Sequence, residues 1–172
     1  MTMEDISGRK DLIKASGLKK GRILDIGMGG CGCMSFFLAK LGFDVVGIDR
    51  SPRAIHVARE DARKKRFRGS FEAKLANAEN LPFSDNDFDA VLSYHSMHHM
   101  GNAEKVIGEM YRVCKKRGLV LVSDLHEEGR KAYKHKPDSC DLFKRIEESL
   151  AKHAKSARKV RSKYNMMFIC RK

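Results

Sequence analysis

No run of apolar residues in this 172-residue chain approaches the roughly 20 needed to cross a bilayer, so the sequence offers no membrane span. The first fourteen residues carry Glu4 and Asp5 and no apolar stretch before a small-residue cleavage site. No signal peptide is read there, and a cytoplasmic protein is expected. Cysteine is scarce and odd in number: Cys31, Cys33, Cys114, Cys140 and Cys170 contain no repeated CxxC, which argues against a disulfide framework or a zinc knuckle and leaves reduced thiols. Repeats, low-complexity stretches and long linkers are missing as well. The length leaves no room for a nucleotide-binding domain plus a separate substrate domain, so one domain over 1–172 with one active site on one sheet is expected.

What is present fits a soluble globular protein, with 42% apolar and 33% charged residues. The formal charge of +13 is uneven. Residues 1–129 hold 21 Lys and Arg against 18 Asp and Glu, whereas residues 130–172 hold 14 against 4. Such a basic last quarter marks either a surface for an anionic partner or solvated lysines on helix faces.

An N-terminal helix is predicted within residues 1–20, around Lys10 to Ser16. Arg22 to Ile26 then reads as a short buried strand, a glycine-rich loop follows, and Met34 to Leu41 reads as a helix stopped by Gly42. Asp44 to Ile48 is a second strand. Ser51 and Pro52 supply an N-cap and a first-turn proline for a helix to about Arg66. Weaker strands at Ser70–Ala76, Phe88–Ser93 and Leu119–Ser123 enclose a helix from Ala103 to Lys115. Residues 128–157 look helical, and Tyr164 to Cys170 is strand-like. This alternation predicts an α/β fold with a mostly parallel, Rossmann-like sheet, helices on both faces and an antiparallel C-terminal strand.

The segment Asp25-Ile-Gly27-Met-Gly29-Gly30-Cys-Gly32 follows a strand and opens a helix, where bare backbone and a helix N-terminus meet a ligand. The spacing Gly27-x-Gly29-x-x-Gly32, with Asp49 ending the second strand, satisfies a dinucleotide fingerprint as readily as a site for S-adenosylmethionine (SAM). Asp25 helps to choose. A carboxylate two residues before the first glycine would lie against a pyrophosphate, but it suits a ligand with a cationic amine.

With these residues the chain resembles the class I SAM-dependent methyltransferases, in particular the ubiquinone and menaquinone biosynthesis branch. The likeness covers about Gly21 to Leu125. It rests on Ile23 to Gly29, Val46-Gly-Ile-Asp49, Asn77-Ala-Glu-Asn-Leu-Pro-Phe83, Phe88 to Ser93 with Met97-His98-His99, and Arg112 to Ser123. The resemblance implies SAM as cofactor, with Asp25, Gly27, Met28, Gly29 and Gly32 around its methionyl part. It puts Asp49 on the ribose hydroxyls and Arg50 beside the adenine. Asn77, Ala78 and Glu79 come at the adenine edge, and Ser93 and Tyr94 at the end of the fourth strand. Asn77 stands where the family usually has aspartate, so an amide oxygen would accept from the adenine amino group. Gly30-Cys-Gly32 stands where the family has a single glycine.

Ligands of open α/β sheets collect at the carboxyl ends of strands, which puts Tyr94, His95, His98, His99, Asp124, His126 and Glu127 on the acceptor side. Among these, His98 and His126 are the candidate general bases. No metal is expected, since His95, His98 and His126 lack a metal-ligand spacing. Residues 126–163 read as a basic lid whose Arg130, Lys131, Lys134, Lys136, Lys144 and Arg145 would hold an anionic acceptor, although the stripe Leu142, Phe143, Ile146, Leu150 suits core packing. The acceptor is expected to be a small molecule. RNA fits the charge, but Ser93-Tyr-His-Ser replaces the Asn/Asp-Pro-Pro-aromatic motif of amino-directed nucleic-acid enzymes and the chain has three prolines in all. The alternatives are an RNA methyltransferase, a non-catalytic subunit that binds SAM or its demethylated product SAH, and, last, an NAD-dependent oxidoreductase. Nothing in the sequence points to an oligomeric state.

Overall fold

The computed structural model describes residues 3–134, 141–154 and 157–172. Five parallel strands, β1 (Arg22–Ile26), β2 (Asp44–Asp49), β3 (Ser70–Leu75), β4 (Phe88–Tyr94) and β5 (Cys114–Leu125), form most of a sheet. Two further strands complete it in the order β3-β2-β1-β4-β5-β7-β6. β7 (Asn165–Arg171) runs antiparallel to β5, and β6 (Ala157–Arg161) runs antiparallel to β7. The helices are α1 (Met3–Ser16), α2 (Cys33–Leu41), α3 (Pro52–Arg63), α4 (Ala103–Val113), α5 (Glu127–Ala132) and α6 (Leu142–Ala151). No described helix is long and apolar enough to cross a membrane.

Alternate strand residues face opposite sides of the sheet, and both sides here are apolar. Ile23, Ala90, Leu92, Leu119 and Leu121 pack with Leu12 of α1 and Leu38 of α2. Leu24, Ile26, Val91, Val120 and Val122 pack with Val106, Ile107 and Met110 of α4 and with Ile146 and Leu150 of α6. Local chemistry sets the helix ends. Ser51 accepts a hydrogen bond from the Ala54 N–H with Pro52 in the first turn, Asn102 accepts from Lys105 N–H, and Gly42 ends α2 at φ 102°.

The predicted helix over 128–157 is corrected. α5 stops at Ala132, α6 spans Leu142–Ala151, and Ala157 begins a strand that sequence reading missed; residues 135–140 of that stretch, including Lys136 and Cys140, lie outside the described residues. β6 is an edge strand reading Ala-Arg-Lys-Val-Arg with four of five residues exposed, so its apolar alternation is too sparse to distinguish it from a solvated helix face. The antiparallel end of the sheet therefore has two strands. Within the expected lid, α6 is instead part of the core, since Leu142, Ile146 and Leu150 are all but fully buried against α4.

Candidate active site

Strand order reverses at β1, whose neighbours β2 and β4 connect to opposite sides, and open α/β sheets form their ligand crevice at such a point. A cavity of about 620 Å³ lies there, at the carboxyl ends of β1, β2 and β4. Of the predicted cofactor residues, Asp25, Gly27, Met28, Gly29, Asp49, Arg50, Asn77, Ala78, Glu79 and Tyr94 line it. Gly32 and Ser93 do not. Gly32 caps α2 at φ 52°, where a Cβ would stand 2.9 Å from the Phe36 ring. Ser93 is fully buried, and its Oγ pairs with Ser96 Oγ at 2.7 Å.

The loop is held by the sheet on either side of it. Gly27 and Met28 N–H both donate to Ile48 O of β2. Ser96 Oγ, after β4, donates to Ile26 O at 2.8 Å, and a Cβ on Gly27 would meet Ser96 Cβ at 2.6 Å, so glycine is required there on steric grounds and by its φ of 72°. Gly29 differs. A Cβ there would meet nothing within 4 Å, which leaves open space against the backbone. Asp49 Oδ2 accepts the Gly29 N–H at 3.0 Å while Oδ1 accepts the Ser51 N–H at 2.9 Å, tying the acid of β2 to the loop of β1. Of the extra residues in Gly30-Cys-Gly32, the wall receives Cys31, followed by Cys33, and neither glycine. Asn77 Oδ1 accepts from Glu79 N–H at 3.0 Å, which bends the chain so that Asn77, Ala78 and Glu79 follow the cavity edge.

Asp25 is 1% exposed, on the α2 side of the sheet, and one oxygen accepts a 2.5 Å hydrogen bond from Ser35 Oγ. Burial pushes its carboxyl up to about 7 despite that hydrogen bond; Cys31 adds to the rise and Arg9 opposes it. Arg9 is the main residue that sequence reading missed. It comes from α1, is 3% exposed, lines the same cavity and donates to Cys33 O at 3.0 Å. Nothing in its sequence neighbourhood marks it, because the docking of α1 on the sheet puts it there.

Neither predicted histidine lines the cavity. His98 Nδ1 meets both oxygens of Asp124, at 2.8 and 3.0 Å, and its N–H donates to the same carboxylate. His126 is buried, with Nε2 3.1 Å from Ser162 O. The histidines in the wall are His95 and His99. Of the basic residues expected to hold an anionic acceptor, Arg130, Lys131, Lys134, Lys144 and Arg145 also lie off the cavity. Lys131 pairs with Glu127 and Lys144 with Glu148. Among the described residues no group of three His, Cys, Asp or Glu could hold a metal.

This geometry meets an independent match. A family model for the methyltransferase domain fits residues 24–122, from the first strand through β5. The chain belongs to the methyltransferase domain family. Similar members include the ubiquinone/menaquinone biosynthesis C-methyltransferase of Erwinia tasmaniensis, 34% identical over 154 residues, which are 85% of this chain and 60% of that protein. The ubiquinone biosynthesis O-methyltransferase of Pelagibacter ubique is 34% identical over 110 residues, 64% of this chain and 44% of that one. This methyltransferase-family chain thus spans about half the length of the curated relatives it matches. A crystal structure of a SAM-dependent methyltransferase from Aquifex aeolicus shares the fold with a TM-score of 0.75 at 21% identity, covering 95% of this chain and 88% of that one.

Proposed function

We propose that this chain transfers the methyl group of SAM to a small-molecule acceptor. The observation that carries the reading is a pair of buried, opposite charges in one cavity wall: Asp25 from β1 and Arg9 from α1. Together they complement a zwitterion, the carboxyl of Asp25 for an ammonium group and the guanidinium of Arg9 for a carboxylate, as the amino-acid end of SAM presents. A carboxyl held near neutrality by burial regains its charge when a cation arrives beside it. Asp49 suits ribose hydroxyls, and Ala78 with the Asn77 turn suits a flat base. A pyrophosphate would instead face Asp25, which disfavours the oxidoreductase reading.

SAM, when bound, supplies an already activated sulfonium methyl group, so the protein's share is alignment and exclusion of water. Gly27 and Gly29 let the ligand approach the backbone, Asp49 fixes the loop while facing the cavity, and Tyr94 closes the β4 side. A small acceptor is supported by relatives named for quinone biosynthesis, and by the absence of described Lys and Arg residues other than Arg9 and Arg50 from the cavity wall.

Titration calorimetry with SAM, SAH and NADH tests the reading. Micromolar SAM and SAH binding with no NADH response is expected, and NADH binding without SAM binding would overturn it. Tritium transfer from SAM into fractions of lysate, small metabolites and RNA then locates the acceptor. Tritium recovered in RNA alone would overturn the small-molecule assignment, and SAM binding with no transfer into any fraction would favour a non-catalytic subunit.

A further inference from the structure

Asp25 reaches the cavity from within a tightly filled layer. In the register of the parallel strands its neighbours are Gly47 of β2 and Leu92 of β4, whose side-chain positions share its face of the sheet. Gly47 leaves that position empty, and the space is taken from above: a Cβ there would stand 2.8 Å from Ser35 Oγ and 2.4 Å from Met28 Sδ. Glycine at this strand position therefore lets Ser35, the third residue of α2, come down onto the sheet beside Asp25. Ser35 is fully buried and its hydroxyl donates to Asp25 Oδ2 at 2.5 Å, yet neither Ser35 nor Gly47 lines the cavity. Any effect of the pair on a ligand passes through the acid.

α2 begins without a cap of its own. Gly32 offers no side chain, and the first turn holds no acid. Asp25 takes that place from β1, accepting from the Ser35 backbone N–H as well as from its hydroxyl at the positive end of the helix. Burial pushes the carboxyl up to about 7, and the two Ser35 bonds, which favour the ionised form, keep it from rising further. Around it, Arg9 of α1 favours ionisation and Cys31 of the loop opposes it, while Cys33 of α2, Asp49 of β2, and Tyr94 and His95 at the end of β4 share the cavity wall. For a group that ionises near neutrality, one hydrogen bond decides how much of it is charged.

We infer that Ser35, admitted by Gly47, is a positioning residue for the ammonium end of the cofactor: it fixes Asp25 Oδ2, leaves Oδ1 for the ligand, and stabilises the carboxylate that the ammonium group meets; this rests on the methyl-transfer reading above. Binding is then a proton exchange. Protonated Asp25 gives its proton to solvent, the carboxylate pairs with the ammonium group, and the ligand keeps its own protons. At low pH the acid stays protonated and the cation finds no partner, so affinity is lost as pH falls through the value of the empty site.

The test is SAH calorimetry on the full chain over a range of pH, with Ser35→Ala, Ser35→Thr and Gly47→Ala beside the wild type. Absence of SAH binding to the wild type at every pH would defeat the methyl-transfer reading itself. With binding intact, wild-type affinity is expected to rise about tenfold per pH unit below pH 7 and to level off above it. Ser35→Ala deletes one hydrogen bond to the carboxylate. It should move that acid limb up by about one pH unit, weaken binding about tenfold at pH 6, and leave the alkaline limb, set by the ligand's own amine, where it was. Measured in two buffers of different ionisation enthalpy, SAH binding at pH 7 should release about half a proton from the wild type and close to one from Ser35→Ala. Ser35→Thr keeps the hydroxyl and should follow the wild type in both readings. Gly47→Ala keeps Ser35 but pushes its hydroxyl off Asp25, so it should follow Ser35→Ala, and it stands in for that variant if Ser35→Ala does not fold. An acid limb that stays in place in the alanine variants, or a loss of affinity equal at every pH, would make Ser35 a packing residue and overturn the assignment. So would a normally melting Ser35→Thr that behaves like Ser35→Ala.

Discussion

Two buried aspartates end two strands of this sheet and stand in opposite circumstances. Asp124 of β5 lies on the α4 side, 1% exposed, and accepts four hydrogen bonds: from His98 N–H and Nδ1 to both its oxygens, and from Leu125 N–H at 2.8 Å. Asp25 of β1 lies on the α2 side, equally buried; it accepts hydrogen bonds from Ser35 alone of the residues around it, through the hydroxyl at 2.5 Å and the backbone N–H, and it faces the cavity. One carboxylate is satisfied by the protein and acts as structure. The other has fewer donors, is pushed up to about 7, and in the proposed reading is completed by the ammonium group of the ligand. Equal burial leaves the two acids in different states, because the number of donors aimed at each differs.

The largest effect is expected on the satisfied side. Asp124→Ala leaves the donors of His98 and Leu125 buried without an acceptor, at about 1–3 kcal/mol each. A loss of roughly 3–5 kcal/mol in unfolding free energy, read from urea titration, should accompany little change in SAM affinity. A large drop in affinity with unchanged stability would reverse the roles assigned to the two acids.

Asp25→Asn should do the opposite. The folded-state pKa of Asp25 lies above its ordinary value of 3.8, so its ionisation opposes folding. That penalty is absent at pH 4, grows as pH rises towards 7, and is complete above it, where about three pH units correspond to roughly 4 kcal/mol. The SAM-free variant is therefore expected to match wild type near pH 4 and to melt several degrees higher at pH 8. Its SAM affinity should fall by about 1.5–3 kcal/mol with the charged hydrogen bond lost. Equal melting temperatures at pH 8 would show that Asp25 is not under-satisfied.

The acid of β2 lies between these extremes, because Asp49 is tied to Gly29 and Ser51 yet still faces the cavity. Asp49→Ala should weaken SAM binding by about 1–3 kcal/mol. Unchanged affinity in calorimetry would remove the ribose from this position.

Residues whose role is written in local backbone demands were legible: the glycines of the loop, the Ser51-Pro52 start of α3, and acids at strand ends two residues from a glycine. From these the five parallel strands and ten of the cavity-lining positions follow. What could not be read depends on contacts far apart in the chain. Arg9 enters the site because α1 docks on β5 and β7; His95 is held by Asn165, seventy residues later; and β6 is a strand because β7 pairs with it. His98, conspicuous in sequence beside His99, proved to be held by Asp124, itself invisible as a partner until β4 and β5 were aligned.

The smallest effect is expected from the feature that dominates the composition, the basic last quarter. Much of the charge on β6 is already answered: Lys159 pairs with Glu147, Arg161 Nη2 lies 3.2 Å from Glu128, and Arg158 donates to Ala15 O. These groups are exposed, so each pair contributes under about 1 kcal/mol, and none lines the cavity. Replacing Arg158, Lys159 and Arg161 by glutamine together should leave SAM affinity and transfer to small acceptors within about twofold. A nucleic-acid function requires the reverse. If the strand met phosphates, the triple variant would lower the dependence of log K for a model RNA on log salt by roughly two to three. A salt slope that drops this far, alongside lost methyl transfer, would move the acceptor side from the cavity between Tyr94 and His95 to the edge of the sheet.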